Sequence, residues 1–364
     1  MELMQVNRQW RDRPQDERFL SLTEMLGMME SISARSLEKT LGRDKLTFME
    51  AQEDEQGLQV AGPNGGKVAL TNWSFGQLAG LAGAPAGYMR ELPPKLAAQC
   101  LNHGVRTGAR EDTQILLTKT DAGAVLRAAN GPRYGRVYNS DVVRTLIHRV
   151  GDGRTGTWKV PGEFGKEVEI TRENTTLYAG DRDMFVFLAD EEHRIEVPSR
   201  RHGKTGSLAR GFFVWNSEVG ARTLGIATFL FDFVCSNRIV WGAQAFRQIK
   251  IRHSSGAPDR WADEVYPALV DMSQQGTGAE VRQITAAQRA RVETGKLDEL
   301  LVKSFGTASR AGAIKAAHLA DEGRPMETLW DVVVGATAYA RGLKWQDERV
   351  AVETQAGKVL DLVF

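Results

Sequence analysis

Hydrophobic and polar positions along this chain follow two rhythms. A mixed pattern of short apolar runs and turns gives way, beyond His253, to a sustained helical period. The densest apolar stretch lies before that change, from Arg210 to Trp241, RGFFVWNSEVGARTLGIATFLFDFVCSNRIVW. Gly211 to Trp215 alternates and is rich in aromatic and β-branched side chains, which predicts a strand. Asn216, Ser217, Glu218 and Gly220 form a polar turn, and Arg222 to Leu224 resumes an extended pattern. Ile226, Phe229, Leu230, Phe233 and Val234 then recur at the spacing of one helix face. The spacing favours a helix there, although Phe229, Phe231 and Phe233 would equally suit a strand. Asn237 suits the end of such a helix because Asn tolerates the left-handed conformation, and Ile239 to Trp241 reads as another short strand. A segment this apolar is expected at the centre of a core, with Trp215, Phe229 and Phe233 buried.

The flanking segments predict smaller elements. Residues 1–20 are charged and weakly patterned, as expected of a flexible arm or edge structure. Ser21 and Glu24 have capping-box spacing ahead of a helix that begins with Met25 and Leu26. Leu46–Ala51 and Leu58–Ala61 are strand-like. The following GPNGGK departs from a phosphate loop at Ala61 and Val68 and reads as a hairpin connection. Thr71 or Asn72 can cap a helix running to Ala82, and Pro85 can open another. Leu78, Ala79, Gly83, Met89 and Leu92 fall where a helix-turn-helix places its packing and turn residues. Gly87 weakens the second helix, and Arg90 alone could read DNA, so a structural helical hairpin is favoured. Asp121–Gly123 predicts a hairpin between Thr113–Thr118 and Ala124–Ala129. Asn139 or Ser140 then caps a helix to Val150. Strand-like runs follow at Thr175–Ala179, Met184–Ala189 and Arg194–Val197. The expected fold class is α+β: a mostly antiparallel sheet with helices over residues 21–255, then a helical C-terminal region over 256–364.

Composition removes several functions. The chain has 364 residues, and 47 basic against 46 acidic side chains leave a net charge of +1, so no global field draws it to a polyanion. Any DNA contact must be a local patch. Two such patches stand out. In GPRYGRVYNSDVV, Arg133, Tyr134, Arg136 and Tyr138 follow Arg127, and cations interleaved with rings suit single-stranded DNA. In SRRHGKTGSLAR, Arg200, Arg201, Lys204 and Arg210 lie among small residues just before the apolar stretch. A second candidate is a polar site of Asn216, Glu218, Arg222 and Asn237, with Glu218 as a general base. A nucleophile–base pair is not evident beside it. Asp181, Asp183, Asp190, Glu191, Glu192 and His193 are spaced as solvated turns rather than as a metal site. No cofactor or metal is expected. Cys100 and Cys235 read as buried thiols, the N-terminus shows no signal core, and no run reaches membrane-span length, so a cytoplasmic protein without a membrane partner is expected.

Several stretches together resemble a known family. These are LTNWSFGQLAGLAGAPAGYMREL, VLRAANGPRYGRVYNSDVV, GFFVWNSEVGARTLGIATFLFDFVCSNRIVW, and LWDVVVGATAYARGL with the downstream ETQAGKVL. In content and order they are similar to the phage/plasmid-like proteins, a domain of unknown function borne on prophages and plasmids. Arg238 stands where that family has Gly after the Cys-Ser-Asn triplet, a departure that bears on the local turn. The resemblance carries no catalytic residues. It implies a role in DNA maintenance, transfer or defence by association with mobile elements. A more distant likeness, of strand–hairpin–helix texture and a basic loop, points to phage single-strand annealing proteins. The resulting expectation is a DNA-binding protein, with single strands preferred. One near-neutral protomer has few cations, so a homo-oligomer should extend the groove lined by Arg133, Arg136, Arg200, Arg201 and Lys204. A non-enzymatic interaction protein, such as an inhibitor of a host system, is the alternative, and an enzyme built around Asn216–Glu218 is a third.

Overall fold

The computed structural model describes residues 13–50, 58–61, 65–108, 112–161, 169–190, 192–200, 204–232, 238–239, 248–274, 278–343 and 346–363. It is an α+β structure with two sheets. The first twelve residues of the expected arm lie outside the described residues. The rest of it is docked: β1 (Arg18–Phe19) pairs antiparallel with a strand of the second sheet. Helix α1 (Leu22–Ala34) follows, with Ser21 accepting from the Glu24 amide. The Glu24 carboxylate reaches back to the Leu20 amide at 2.6 Å, one residue earlier than a standard capping box.

The first sheet contains β2 (Ser36–Gly42), β3 (Phe48–Glu50), β4 (Leu58–Ala61), β5 (Lys67–Leu70), β6 (Asp112–Thr120) and β7 (Gly123–Asn130). Their spatial order is β2-β6-β7-β5-β4-β3. All pairs are antiparallel except β5 with β7, so GPNGGK does join two hairpin strands. Helices α2 (Asn72–Leu81), α3 (Ala86–Glu91) and α4 (Pro94–Thr107) are inserted between β5 and β6. They bury Leu78, Ala79, Met89 and Leu101 against Ile115 and Leu126. A capping box at Thr71 and Ser74 starts α2, and Gly83 at φ 67° turns the chain after it, a conformation that penalises any side chain with a Cβ.

After α5 (Asn139–Val150), the second sheet is assembled from β8 (Trp158–Lys159), β9 (Leu177–Ala179), β10 (Met184–Asp190), β11 (Ile195–Arg200), β12 (Lys204–Asn216), β13 (Leu224–Asp232), β14 (Arg238–Ile239) and β15 (Gln248–Ile251). Its main path is β1-β9-β10-β12-β13-β14, antiparallel throughout. The expectation of a helix from Ile226 is overturned, because Leu224–Asp232 pairs with β12 on one side and with β14 and β15 on the other. A central strand is buried on both faces. Leu224, Ile226 and Leu230 face helices, while Ala227 joins Phe185, Phe213 and Trp215 on the opposite face. Such a strand reads as a continuous apolar run, which spacing cannot tell from a buried helix. Trp215 is buried as expected. Phe233, Asn237, Cys235, Val240 and Trp241, and the Phe229 side chain, lie outside the described residues.

Two apolar clusters share the helix-covered face. Near the Asn216 end of β12, Phe212 and Val214 pack with Leu22 and Met25 of α1, Val142 and Leu146 of α5, and Trp261 and Leu269. The last two belong to a continuous helical stretch of α6 (Ala257–Arg260), a π-helical turn (Trp261–Val265) and α7 (Tyr266–Gln274). Nearer the Lys204 end, Leu208, Leu230, Ile195 and Val197 pack with the remaining helices. These are α8 (Gly278–Arg289), α9 (Thr294–Phe305), α10 (Ala308–Glu322), α11 (Leu329–Arg341) and α12 (Gln346–Leu360). The C-terminal region is thus helical. No helix among the described residues is long and apolar enough to cross a membrane.

Candidate functional site

The β12–β13 turn, Asn216 to Ala221, sits where the two sheets meet. Gly220 adopts φ 85°, which lets the chain reverse without a Cβ penalty. Reversal carries Val219 into the first sheet, where it is fully buried with Leu116 and Ala128 and flanked by Trp73. Its carbonyl accepts from Trp73 Nε1 (3.0 Å), Gln77 Nε2 (2.8 Å) and Asn130 Nδ2 (3.2 Å). Asn216 donates to the Val137 carbonyl and to Asn139 Oδ1, both at 2.8 Å. Ser217 Oγ donates to the Arg182 carbonyl and accepts from the Ala221 amide.

Glu218 is the hub of this joint and is 4% exposed. One carboxylate oxygen accepts from the Asn139 backbone amide at 2.8 Å, the other from Arg127 Nη1 at 2.9 Å. The first contact caps α5, which the sequence had assigned to Asn139 or Ser140. No side chain of that segment caps it; a carboxylate from a distant turn does, where the helix dipole favours negative charge. The second contact depends on an irregularity. Ala128 pairs with Leu116 and Leu126 with Leu117, which leaves Arg127 as the extra residue of a β-bulge. Bulges re-aim a side chain, here towards the second sheet. Arg136 donates to the Glu218 carbonyl and pairs through Nε with Glu38 at 2.7 Å. The Tyr134 hydroxyl donates to the Ser217 carbonyl at 2.8 Å, and burial pushes its pKa far above the usual phenol value. With both Glu218 oxygens engaged by a cation and a helix N-terminus, the arrangement fixes one sheet against the other.

Other candidates are dispersed. Arg222 pairs with Asp183 at 2.9 Å, the same carboxylate that receives Arg13, so it anchors the N-terminal segment. Asn237 lies outside the described residues. Arg210 is buried, with Nη2 at 3.5 Å from Asp190. Asp183 and Asp190 are each 1% exposed, which corrects their reading as solvated turn residues. Arg133 is exposed. Arg201 lies outside the described residues, as do the side chains of Arg200 and Lys204, but the backbone pairs Arg200 with Lys204 at the end of the β11–β12 ribbon. Within one chain the backbones of the two basic segments lie far apart. Tyr134 and Arg136 contact the turn after Asn216, and Lys204 begins the same 13-residue strand. Its length separates them by roughly 40 Å at about 3.3 Å per residue. In the helical hairpin, Arg90 lies over the Phe75 ring and donates to the Asn72 carbonyl, so it serves its own packing.

The family described as Domain of unknown function (DUF932) matches residues 164–353, from the segment before β9 into α12. No curated protein and no solved structure matches the chain. Since that match covers more than half of the sequence, the chain belongs to the DUF932 family.

Proposed function

We propose that the protein binds DNA through the end of the β11–β12 ribbon, as a phage- or plasmid-borne protein that binds or anneals single strands in DNA maintenance or recombination. One observation supports this most: beyond Leu208, β12 pairs among the described residues with β11, and the described pairing of these two strands runs to Arg200 and Lys204. The segment SRRHGK brings Arg200, Arg201 and Lys204 within five residues. Cations on a narrow ribbon can approach phosphates of a single strand, and a two-stranded ribbon also fits a duplex major groove. Arg136 and Arg210 are engaged inside the protein, so the contact set narrows to Arg200, Arg201 and Lys204, with Arg133 as a separate exposed cation. So few cations per chain require a homo-oligomer to hold a long strand, and the setting proposed is the cytoplasm.

A second reading, a non-enzymatic interaction protein of the mobile element, is favoured by a different observation. Among the described residues strand β2 ends the first sheet and pairs with β6 on one side, and Leu37 is 58% exposed. Free strand edges accept partner strands. A salt titration on single- and double-stranded oligonucleotides distinguishes the two. Replacing Arg200, Arg201 and Lys204 with Ala should flatten the slope of log K against log salt by about two to three on duplex DNA and somewhat less on single strands. If the wild type binds neither form at low salt, the DNA reading falls and the interaction reading replaces it.

A further inference from the structure

The chain crosses from the first sheet to α5 through residues 131–138, and the crossing is held by a histidine from the second sheet's last strand region. His253 follows β15 and is 9% exposed. Its ring stacks on Tyr134 with centroids 4.9 Å apart and planes 23° apart. Its Nδ1–H donates to the Gly135 carbonyl at 3.0 Å. The two segments touch so closely that a Cβ on Gly135 would overlap the Ser254 carbonyl oxygen. Since Nδ1 carries the proton, Nε2 is the basic nitrogen, and it is buried with no hydrogen-bond partner among the described residues.

We propose that His253 makes this joint acid-sensitive: protonation of Nε2 releases residues 131–138 from the turn at 252–255 and loosens one sheet against the other. A second N–H there would be buried without an acceptor, which costs the desolvation of that group. The charged and titratable neighbours add no compensation. Arg136 lies over the Tyr134 ring at 5.2 Å and opposes another positive charge. Tyr134 is neutral and donates its proton to Ser217. Glu218 is already held by Arg127 and Asn139, and Arg252, the adjacent residue, is an exposed cation. Burial, opposed by the Gly135 contact and aided by Arg136, lowers the His253 pKa below 6.5. The unfolded chain therefore takes the proton first. The joint is at full strength above about pH 6.5 and weakens as pH falls towards the folded-state value.

The test is hydrogen exchange read by mass spectrometry at pH 7.5 and 5.0, corrected for the intrinsic rate. Peptides covering 131–138 and 216–221 of the wild type should lose protection at pH 5.0, by about tenfold for each pH unit below 6.5 until the folded-state value is passed and so by no more than about thirtyfold. H253N retains an N–H for Gly135 and does not titrate, and H253F retains a stacking ring; each folded variant should show the same protection at both pH values. The proposal is overturned if the wild type shows no local loss, or if the loss persists in either variant. Should neither variant fold, the ring titration of wild-type His253 by NMR decides: an ordinary pKa with residues 131–138 still protected below it overturns the proposal, and a depressed one that coincides with loss of protection upholds it. None of these outcomes depends on DNA binding.

Discussion

The two ends of β12 carry polar residues in turn-like sequence, and only the Asn216 end is seen to bury them. At the Asn216 end, Asn216, Ser217 and Glu218 are 0%, 0% and 4% exposed, and their partners come from both sheets. At the Lys204 end the partner among the described residues is β11, and the sequence places three cations within five residues, Arg200 to Lys204. The difference lies in what surrounds each end. A turn inserted between two sheets must satisfy every polar group it buries. Polar composition therefore says little about function until the neighbours of each turn are known.

Glu218→Ala should be the most damaging, because it leaves Arg127 buried without its anion and removes the cap of α5. About 3–5 kcal/mol of stability should be lost in denaturant unfolding. A double-mutant cycle with Arg127→Ala should show strong coupling, and independent effects would mean the pair is not a unit. Phe212→Ala, at a site with no exposure beneath the helices, should cost a comparable 3–5 kcal/mol in the same assay, provided the core cannot collapse.

A smaller effect is expected at the start of α11. Asp331 accepts from Arg324 at 2.6 and 2.9 Å and from the Glu327 and Thr328 amides, and its carboxylate lies 3.5 Å from His318. Burial raises its pKa, but the contacts from His318, Arg324 and Glu327 outweigh that and hold it well below the usual carboxylate range. Its stabilising contribution is present above about pH 4 and is lost as pH falls below that. Asp331→Asn should flatten the acid limb of a stability–pH profile, and an unchanged limb would refute the assignment.

The smallest effects on stability belong to the ribbon end. The triple change at Arg200, Arg201 and Lys204 should move unfolding by no more than about 0.5 kcal/mol per site while altering the salt dependence of binding. A cooperative collapse of stability instead would place those residues in the structural class of Glu218. Arg90→Ala should change DNA affinity little, since that side chain packs on Phe75. A large loss would restore the helix-turn-helix reading.

Local signals in the sequence were dependable where the chain satisfies itself. The hairpin at Asp121–Gly123, the cap at Thr71, the turn after Trp215 and the change to helices beyond His253 all follow from turn chemistry and period. Signals weakened where an element is covered on both faces, as at Ile226, whose apolar neighbours fit a helix and a buried strand equally. They were also weak where the partner is remote. The sequence puts Arg136 among surface cations because it lies in a short segment of glycines, tyrosines and other cations, but Glu38 and Glu218 claim it from 98 and 82 residues away. An arginine inside the otherwise apolar run of β7 was the available hint of a bulge at Arg127.

Periodicity and turn residues act over a few positions, and they suffice for the α+β class, the order of most elements and the apolar centre at β12 and β13. That this centre is a pair of strands, that its turn locks two sheets together, and that Arg136 and Lys204 lie near opposite ends of β12 emerges from the folded chain alone. Those outcomes depend on pairing and charge compensation between residues far apart in the chain, and no local pattern encodes which partner will arrive.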